Sequence, residues 1–238
     1  MIRDYLQQLE KDFWANRKSD LRPSIFQNDY LFYSSLSQKI LLGFLKVRRK
    51  IKSKKLDIID IGSGAKPYFS LFSPYARKYV GVDIDPRVAD VVASGESLPL
   101  TDNSFDLAVS FQTLEHCQYP SQVVAEMKRV LRPKGFVILT THGIWMHHPC
   151  PHDYYRWTNE GLHELFTGFA KVDVEPTLTS WSTLLQLLNV ELYGLACRHV
   201  FLKLPLYMVI VVNNLIGKFV MPFGKKHLTI DYVVLARK

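Results

Sequence analysis

Apolar and polar positions follow two alternating periods along much of this chain. Residues 56–61 (LDIIDI), 79–83 (YVGVD), 105–111 (FDLAVSF), 136–140, 170–174 and 228–236 are short apolar runs that predict buried strands, with a weaker strand at 89–93. Helical patterns separate them. Residues 120–131 place Val123, Met127, Val130 and Leu131 on one face, with Glu126, Lys128 and Arg129 off it. Pro120 suits the first turn of that helix and Pro133-Lys134-Gly135 its exit. A short helix is expected near 67–72. Another is expected over 158–166, with Thr158 as N-cap and Gly161 as its weak spot. Strands alternating with helices predict an α/β fold, doubly wound around a mostly parallel sheet.

Two stretches depart from that alternation. Residues 1 to about 50 read as helical, with Leu6, Leu9 and Phe13 at helical spacing and Pro23 dividing them into two helices. Residues 181–223 form an insertion before the last strand. Its first half, 184–196, is apolar on nearly every side, and 204–217 carries no charge. The second run reads as too short to span a bilayer, which takes roughly 20 apolar residues, and Asn213-Asn214 interrupt it. A helix apolar all round lies buried in protein or against lipid. A lid on the sheet, a homodimer interface and a membrane surface all remain open. The chain thus divides into N-terminal helices and a basic linker (1–55) and an α/β domain (56–238).

The 238 residues are 47% hydrophobic and 22% charged, as an ordinary folded domain requires. Three cysteines are too few and too scattered for a disulfide framework, which fits a reducing, cytoplasmic setting. The first residues are charged and lack an apolar signal core, so no secretory signal is expected. The net charge of +8 is concentrated in Lys46, Arg48, Arg49, Lys50, Lys52, Lys54 and Lys55. This run is either a solvated helix end or a contact for an anionic surface. No aromatics interleave it, so nucleic acid is a weaker expectation than the inner face of a membrane.

The chemistry begins where the first strand ends, at Asp60-Ile61-Gly62-Ser63-Gly64. A glycine turn at the carboxyl edge of a parallel strand lets backbone approach a nucleotide-like ligand. A second strand ends in Asp83, whose carboxylate can accept both hydroxyls of a ribose. Lys66-Pro67 stand where a dinucleotide fingerprint has its third glycine. A pyrophosphate would need that close approach, and a nucleoside without phosphates would not. The inferred ligand is such a nucleoside, of which S-adenosylmethionine is the common one; a dehydrogenase is disfavoured.

Four ordered blocks (DIGSGAKPY, GVDIDP, SGESLPLTDNSFDLAVSFQTLEH and EMKRVLRPKGFVIL) resemble the class I S-adenosylmethionine-dependent methyltransferases. The resemblance implies a Rossmann-like, seven-stranded sheet whose last strand is antiparallel. It places Gly62, Ser63 and Gly64 beside the amino-acid part of the cofactor, with Asp60 holding the loop or meeting the ammonium. Asp83 would take the ribose, with Ile84 beside it. The family's adenine-side acid falls at Ser94, so Glu96 or the backbone at Gly95 is expected to serve instead. Phe111 or Gln112 would flank the cofactor. Lys134, in place of the first glycine of the usual turn, reads as a surface matter.

The segment THGIWMHHPCPHDYYRWT follows the fifth strand, at the acceptor side. It resembles a methyltransferase subgroup found among bacterial surface-polysaccharide genes. Five of the eight histidines lie in or near it: His142, His147, His148, His152 and His163. A hydroxyl acceptor calls for a base near neutral pH, which histidine supplies. The choice falls on His148 or His152, oriented by Asp153, with His116 also aimed at the cleft. Tyr154, Tyr155 and Trp157 either form a sugar-stacking wall or pack the loop. Without fixed ligand spacing, no metal is expected. The expected activity is O-methylation of a sugar hydroxyl, on a small-molecule or glycan acceptor. The alternatives are a lipid or hydrophobic acceptor, or a non-catalytic cofactor-binding partner.

Overall fold

The run LDIIDI forms β1 (Leu56–Ile61), buried along its whole length. Its side chains alternate between two faces, so Ile58 joins one apolar cluster and Ile59 and Ile61 another. A strand buried on both faces belongs in the middle of a covered parallel sheet. In the computed structural model, which describes residues 23–51 and 53–238, β1 pairs in parallel with both β2 (Ala76–Asp83) and β4 (Phe105–Phe111). The full order is β3-β2-β1-β4-β5-β7-β6, with β3 at Val91–Val92, β5 at Leu131–His142, β6 at Lys171–Pro176 and β7 at Asp231–Arg237. Only β7 runs antiparallel, to both β5 and β6. This is the expected doubly wound, Rossmann-like sheet of seven strands.

Helices cover both faces. On one, α1 (Tyr30–Lys50) buries Leu36, Ile40, Phe44 and Val47 at helical spacing. Full burial of each such side chain is worth about 1.5–3 kcal/mol. These residues share a cluster with Ile58 of β1, Leu107 and Val109 of β4 and Ile138 of β5. The helix therefore belongs to the core of the α/β domain and is not a separate N-terminal piece. The expected helix containing Leu6, Leu9 and Phe13 lies outside the described residues. A single helical turn, α2 (Phe69–Phe72), follows the first glycine turn. The other face carries α3 (Pro120–Val130) and α4 (Asn159–Leu165). Thr158 caps α4 by accepting a hydrogen bond from the Gly161 N–H at 3.0 Å.

The insertion is a helical hairpin, α5 (Ser180–Arg198) and α6 (Lys203–Val220). The expectation of helices apolar on every side is corrected: both are amphipathic with the usual polarity reversed. Apart from Ile210, their buried faces are polar or small: Ser182, Thr183, Gln186, Asn189 and Ala196 on α5, Asn213, Asn214 and Gly217 on α6. Asn189 donates to Asn214 Oδ1 and Asn213 to Asn189 Oδ1, both at 2.9 Å. Asn214 then donates to the carbonyls of Ile25 and Gln27, and Gln186 accepts from the N–H of Phe32. A Cβ on Gly217 would sit 2.4 Å from Leu31 of α1, so only glycine permits this approach. The exposed side of α6 carries Leu204, Met208, Val212, Leu215, Phe219 and, just beyond, Phe223. That of α5 carries Trp181, Leu184, Leu188 and Leu195. By length and composition α6 is long enough to cross a membrane, contrary to the sequence expectation. Asn213 and Asn214 tie it to the domain instead of merely interrupting it.

β5 begins five residues earlier than the 136–140 run predicts, because Leu131 already pairs with Phe105 across a register shift. The kink contains Lys134 at φ +68°. Lys134 is therefore more than a surface matter: a side chain is held in left-handed backbone, where L-residues lose about 1–2 kcal/mol and glycine does not. After allowing for glycine's greater freedom in the unfolded chain, Lys134→Gly is expected to raise stability by about 0.5–1 kcal/mol. Urea unfolding checks this: the midpoint should rise with an unchanged slope.

Candidate active site

All the parallel strands point their carboxyl ends at one edge, and the chain reverses its winding between β1 and β4. Ligands of open α/β sheets bind at that switch point. A second observation marks the same edge. Seven buried side-chain atoms among the described residues lack a hydrogen-bond partner: Asp60 Oδ1, Ser63 Oγ, Gln112 Oε1, Glu115 Oε1, His142 Nδ1, Trp157 Nε1 and Asp231 Oδ1. Each belongs to a strand end or loop at the carboxyl edge of β1, β4 or β5, where β7 begins opposite His142. Unpartnered buried polar atoms are costly, so their concentration here demands a functional account.

On the β1 side, Gly62 (φ +70°) and Gly64 (φ +47°) make the turn. A Cβ on Gly62 would collide with Thr113 at 2.1 Å, whereas around Gly64 nothing lies within 4 Å. Gly62 is thus required by packing, and Gly64 is favoured by its positive φ. Asp83 ties this turn to β2, accepting from the N–H of Gly64 at 2.8 Å and of Asp85 at 3.0 Å. A carboxylate has further lone pairs, so both bonds leave room for a diol. Ile84 beside it is exposed. Asp60 is buried under the turn, and one oxygen accepts from the Tyr79 hydroxyl at 2.6 Å. Burial pushes its carboxyl up to about 7. Ser94 accepts from the Glu96 N–H at 3.2 Å, and Glu96 accepts from the Tyr119 N–H at 2.9 Å. Gly95 packs on Ile61, where a Cβ would approach to 2.7 Å. Together Ser94, Gly95 and Glu96 join β1 to the start of α3.

Gln112 does not extend toward that side. At φ +54° it turns its amide to Thr140 Oγ1 (3.0 Å) and Asp231 Oδ2 (2.7 Å), so its side chain is bonded toward β5 and β7. Phe111 packs on Tyr68 and Phe72.

On the β5 side, His142 lies between two buried carboxylates, with Nε2 3.5 Å from Glu115 Oε1 and Nδ1 3.2 Å from Asp231 Oδ1. Burial raises both acids, Asp231 well above the ordinary range, and depresses His142 to about 4. The imidazole stacks on Trp145 with ring centres 5.2 Å apart. The sequence reading counted His142 among the clustered histidines but missed Glu115 and Asp231. The signals were present: an acid inside the short LEH turn, and a lone acid heading an apolar strand. The acceptor loop is fastened here, since the Glu115 carbonyl accepts from the N–H of Tyr154 and Tyr155 and the His142 carbonyl from that of Trp157.

The structure brings His116, His148 and His152 together around that loop. His116 Nδ1 lies 2.5 Å from the His152 carbonyl and its ring centre 5.0 Å from that of His148. A carbonyl only accepts, so His116 Nδ1 carries the proton and Nε2 keeps its lone pair. Burial lowers its pKa. His148 Nδ1 donates to the Met146 carbonyl at 3.1 Å, and burial takes this group to about 4. His152 contributes its carbonyl, with its ring 5.4 Å from Tyr154. Asp153 Oδ2 lies 3.3 Å from His147 Nδ1 and 3.6 Å from His148 Nδ1, while its hydrogen bonds go to other groups. It accepts twice from Arg156 and once from the His148 N–H, and that guanidinium holds its carboxyl far down. It fixes loop backbone. Tyr155 stacks on Trp157 and donates to the Gln118 carbonyl, which is loop packing; Tyr154 stays exposed.

Residues 59–139 match the family model described as a methyltransferase domain. An uncharacterized methyltransferase of Mycobacteroides abscessus is 29% identical, over 48% of this chain and 51% of its own length. The chain thus spans about half the length of that curated relative. Among solved structures, phosphoethanolamine N-methyltransferase 2 of Haemonchus contortus aligns with TM-score 0.53 at 19% identity, covering 90% of this chain and 56% of that one. The cyclase SpnF aligns with TM-score 0.52 at 19% identity, covering 84% and 81%. At such identities these two likenesses speak to fold. The segment 59–139 is thus similar to a methyltransferase domain, and it is set in a seven-stranded sheet of Rossmann-like order.

The Asp60 carboxyl provides a pH test of this edge. Its folded pKa near 7 exceeds the ordinary value of 3.8, so between those values the folded state binds the extra proton. Its contribution is therefore full below about 4 and is lost as pH rises through 7, with a limiting slope of about 1.4 kcal/mol per unit. Asp60→Asn should remove that slope. In ligand-free protein the variant's stability relative to the parent should increase from pH 4 to pH 7. Denaturant melts across that range read the difference directly, and a constant difference would contradict it.

Proposed function

We propose that the protein is an S-adenosylmethionine-dependent methyltransferase that O-methylates a sugar hydroxyl in glycan or glycolipid biosynthesis. The observation that carries the cofactor half is the Gly62–Gly64 turn bonded to Asp83 above the buried Asp60. These residues fit the cofactor: Asp60 has an unpartnered oxygen for an ammonium, Gly64 an open backbone, and Asp83 spare lone pairs for a ribose. The match of residues 59–139 to a methyltransferase domain supports the same reading. When bound, the cofactor supplies an electrophilic methyl group on a sulfonium whose leaving group is a neutral thioether.

The residues of the chain do the rest. The acceptor oxygen must approach in line and lose its proton as its bond to carbon forms. His116 is the group placed to take it: its Nδ1–H is committed to the His152 carbonyl and its Nε2 is free. It follows Thr113, which touches Gly62, by three residues, so it stands between the cofactor turn and the acceptor loop. The weight thus moves from the His148 and His152 side chains to His116. Tyr154, exposed on the loop, offers a ring face to a sugar.

The reversed hairpin favours a lipid-linked or otherwise hydrophobic acceptor, met at an anionic membrane face. Its outer stripe is apolar, and residues 180–227 hold five cations (Arg198, Lys203, Lys218, Lys225, Lys226) against one acid, Glu191. Apolar area with flanking cations is the pairing that peripheral anchoring needs. The Lys46 run is partly spent within the fold, since Lys46 pairs with Glu175 and Arg48 lies over Tyr75.

Two measurements test the proposal. Calorimetry should show S-adenosylmethionine or its demethylated product binding and NAD not, with Asp83→Ala weakening the interaction by about 1–3 kcal/mol. His116→Ala should lower methyl transfer to extracted glycolipids by about a hundredfold or more, with cofactor affinity kept. His152→Ala should do little, because only its carbonyl is used. For the membrane contact, sedimentation with anionic vesicles should capture the protein in low salt, and Phe219→Asp with Phe223→Asp should release it. Protein that ignores anionic and neutral vesicles alike would make the stripe a subunit interface.

A further inference from the structure

Glu115, His142 and His148 are left unused by the reaction proposed above. One donor atom from each lies within 4.8 Å of the other two. The Glu115 Oε1 to His142 Nε2 separation is 3.5 Å. That contact makes no hydrogen bond, and Glu115 Oε1 stays buried without a partner. The spacing does suit two donors on one ion, because bonds of about 2.0–2.1 Å at tetrahedral angles put donors roughly 3.4 Å apart.

We propose that Glu115, His142 and His148 form a binding site for a divalent transition-metal ion, with Zn2+ the best fit. His148 is set up as ligands usually are, with its far ring nitrogen held from behind, and His142 has a buried carboxylate facing its far nitrogen without a hydrogen bond. His142 Nδ1 faces Asp231 Oδ1 at 3.2 Å, and His148 Nδ1 donates to the Met146 carbonyl at 3.1 Å. Each ring therefore directs Nε2 as the free donor. The set is two imidazoles and one carboxylate, which suits Zn2+ and leaves a position for water or an acceptor oxygen. Mg2+ or Ca2+ would require more oxygen donors. The third donor has up to about 1.4 Å to close, and His148 is partly exposed and can swing to do so. Bound ion would satisfy Glu115 Oε1, which is buried without a partner while Oε2 accepts from Thr141 at 2.8 Å. The sequence expectation of no metal arose because the donors come from positions 115, 142 and 148, which share no ligand motif.

This site shares the cleft with the methyl-transfer reading but does not rest on it. The test uses the untagged full chain, stripped with a chelator and titrated with Zn2+ by calorimetry, with metal content measured after desalting. About one equivalent per chain is expected. Glu115→Gln, close in shape, and His148→Ala should each weaken binding at least about tenfold, while His163→Ala on α4 should retain it. Loading Co2+ should give visible bands of a low-coordinate site in the parent protein and not in Glu115→Gln. Unchanged Zn2+ affinity in Glu115→Gln, or no stoichiometric binding by the parent, overturns the proposal. Parent-like circular dichroism and cooperative urea unfolding of the same variants show that they are folded. Methyl transfer is not read here, so either proposal can fail alone.

Discussion

Two buried carboxylates, Glu115 and Asp231, flank one neutral imidazole, His142, and the carboxyl edge of the sheet is organised around them. Isolated charges in such a place are expensive, and a partly satisfied network is worse than an apolar core. The compensation is geometric. Glu115 also accepts from Thr141, Asp231 accepts from Gln112, and the peptide groups of residues 115 and 142 hold the acceptor loop. One small polar knot therefore joins the end of β4, the end of β5, the start of β7 and the segment that faces substrate. Gln112 adopts left-handed backbone in order to reach it. The remaining cost, in unpartnered Glu115, His142 and Asp231 atoms, is concentrated where a ligand can repay it.

What was legible in the sequence follows from how local each signal is. Fully apolar strands such as LDIIDI and FDLAVSF announce themselves, because burial on both faces leaves no other reading. The glycine turn and Asp83 are equally local, since a positive φ and a carboxylate at a strand end are written in one or two residues. The Glu115–His142–Asp231 row was not legible, because antiparallel pairing of β7 brings position 231 to position 142, and no local pattern encodes that register. Lys134 was misjudged for a related reason: its strain depends on β5 beginning at Leu131, which only pairing with Phe105 establishes.

The hairpin shows the limit of counting apolar residues. Leu184, Leu188, Met208, Val212 and Leu215 made α5 and α6 read as apolar nearly all round, either buried or against lipid, and these are the exposed ones. The inner positions went mostly to asparagine, glutamine, serine, threonine and glycine, and Gln186 and Asn214 fasten the hairpin by hydrogen bonds to backbone at residues 25–32. A polar inner face holds position by directional bonds and releases the apolar face for other contacts. In water alone the reverse arrangement would bury more apolar area and be more stable. An outer apolar stripe kept at that cost points to a function outside the domain itself.

Fold alone does not choose the reaction here, because a cyclase and a methyltransferase are both neighbours of this sheet. The argument has to come from the edge. There the unpartnered atoms separate into two groups, Asp60 and Ser63 under the β1 turn and Glu115, His142 and Asp231 beside β5. Both groups include buried acids, so both favour positive charge or hydrogen-bond donors. A sulfonium nucleoside with its ammonium satisfies the first. The second is too far inside the fold for a bulky sugar to replace, since Glu115 and Asp231 are fully buried. A small cation or a proton is what such a pocket can take, and in either form it would set the position of the loop carrying the acceptor.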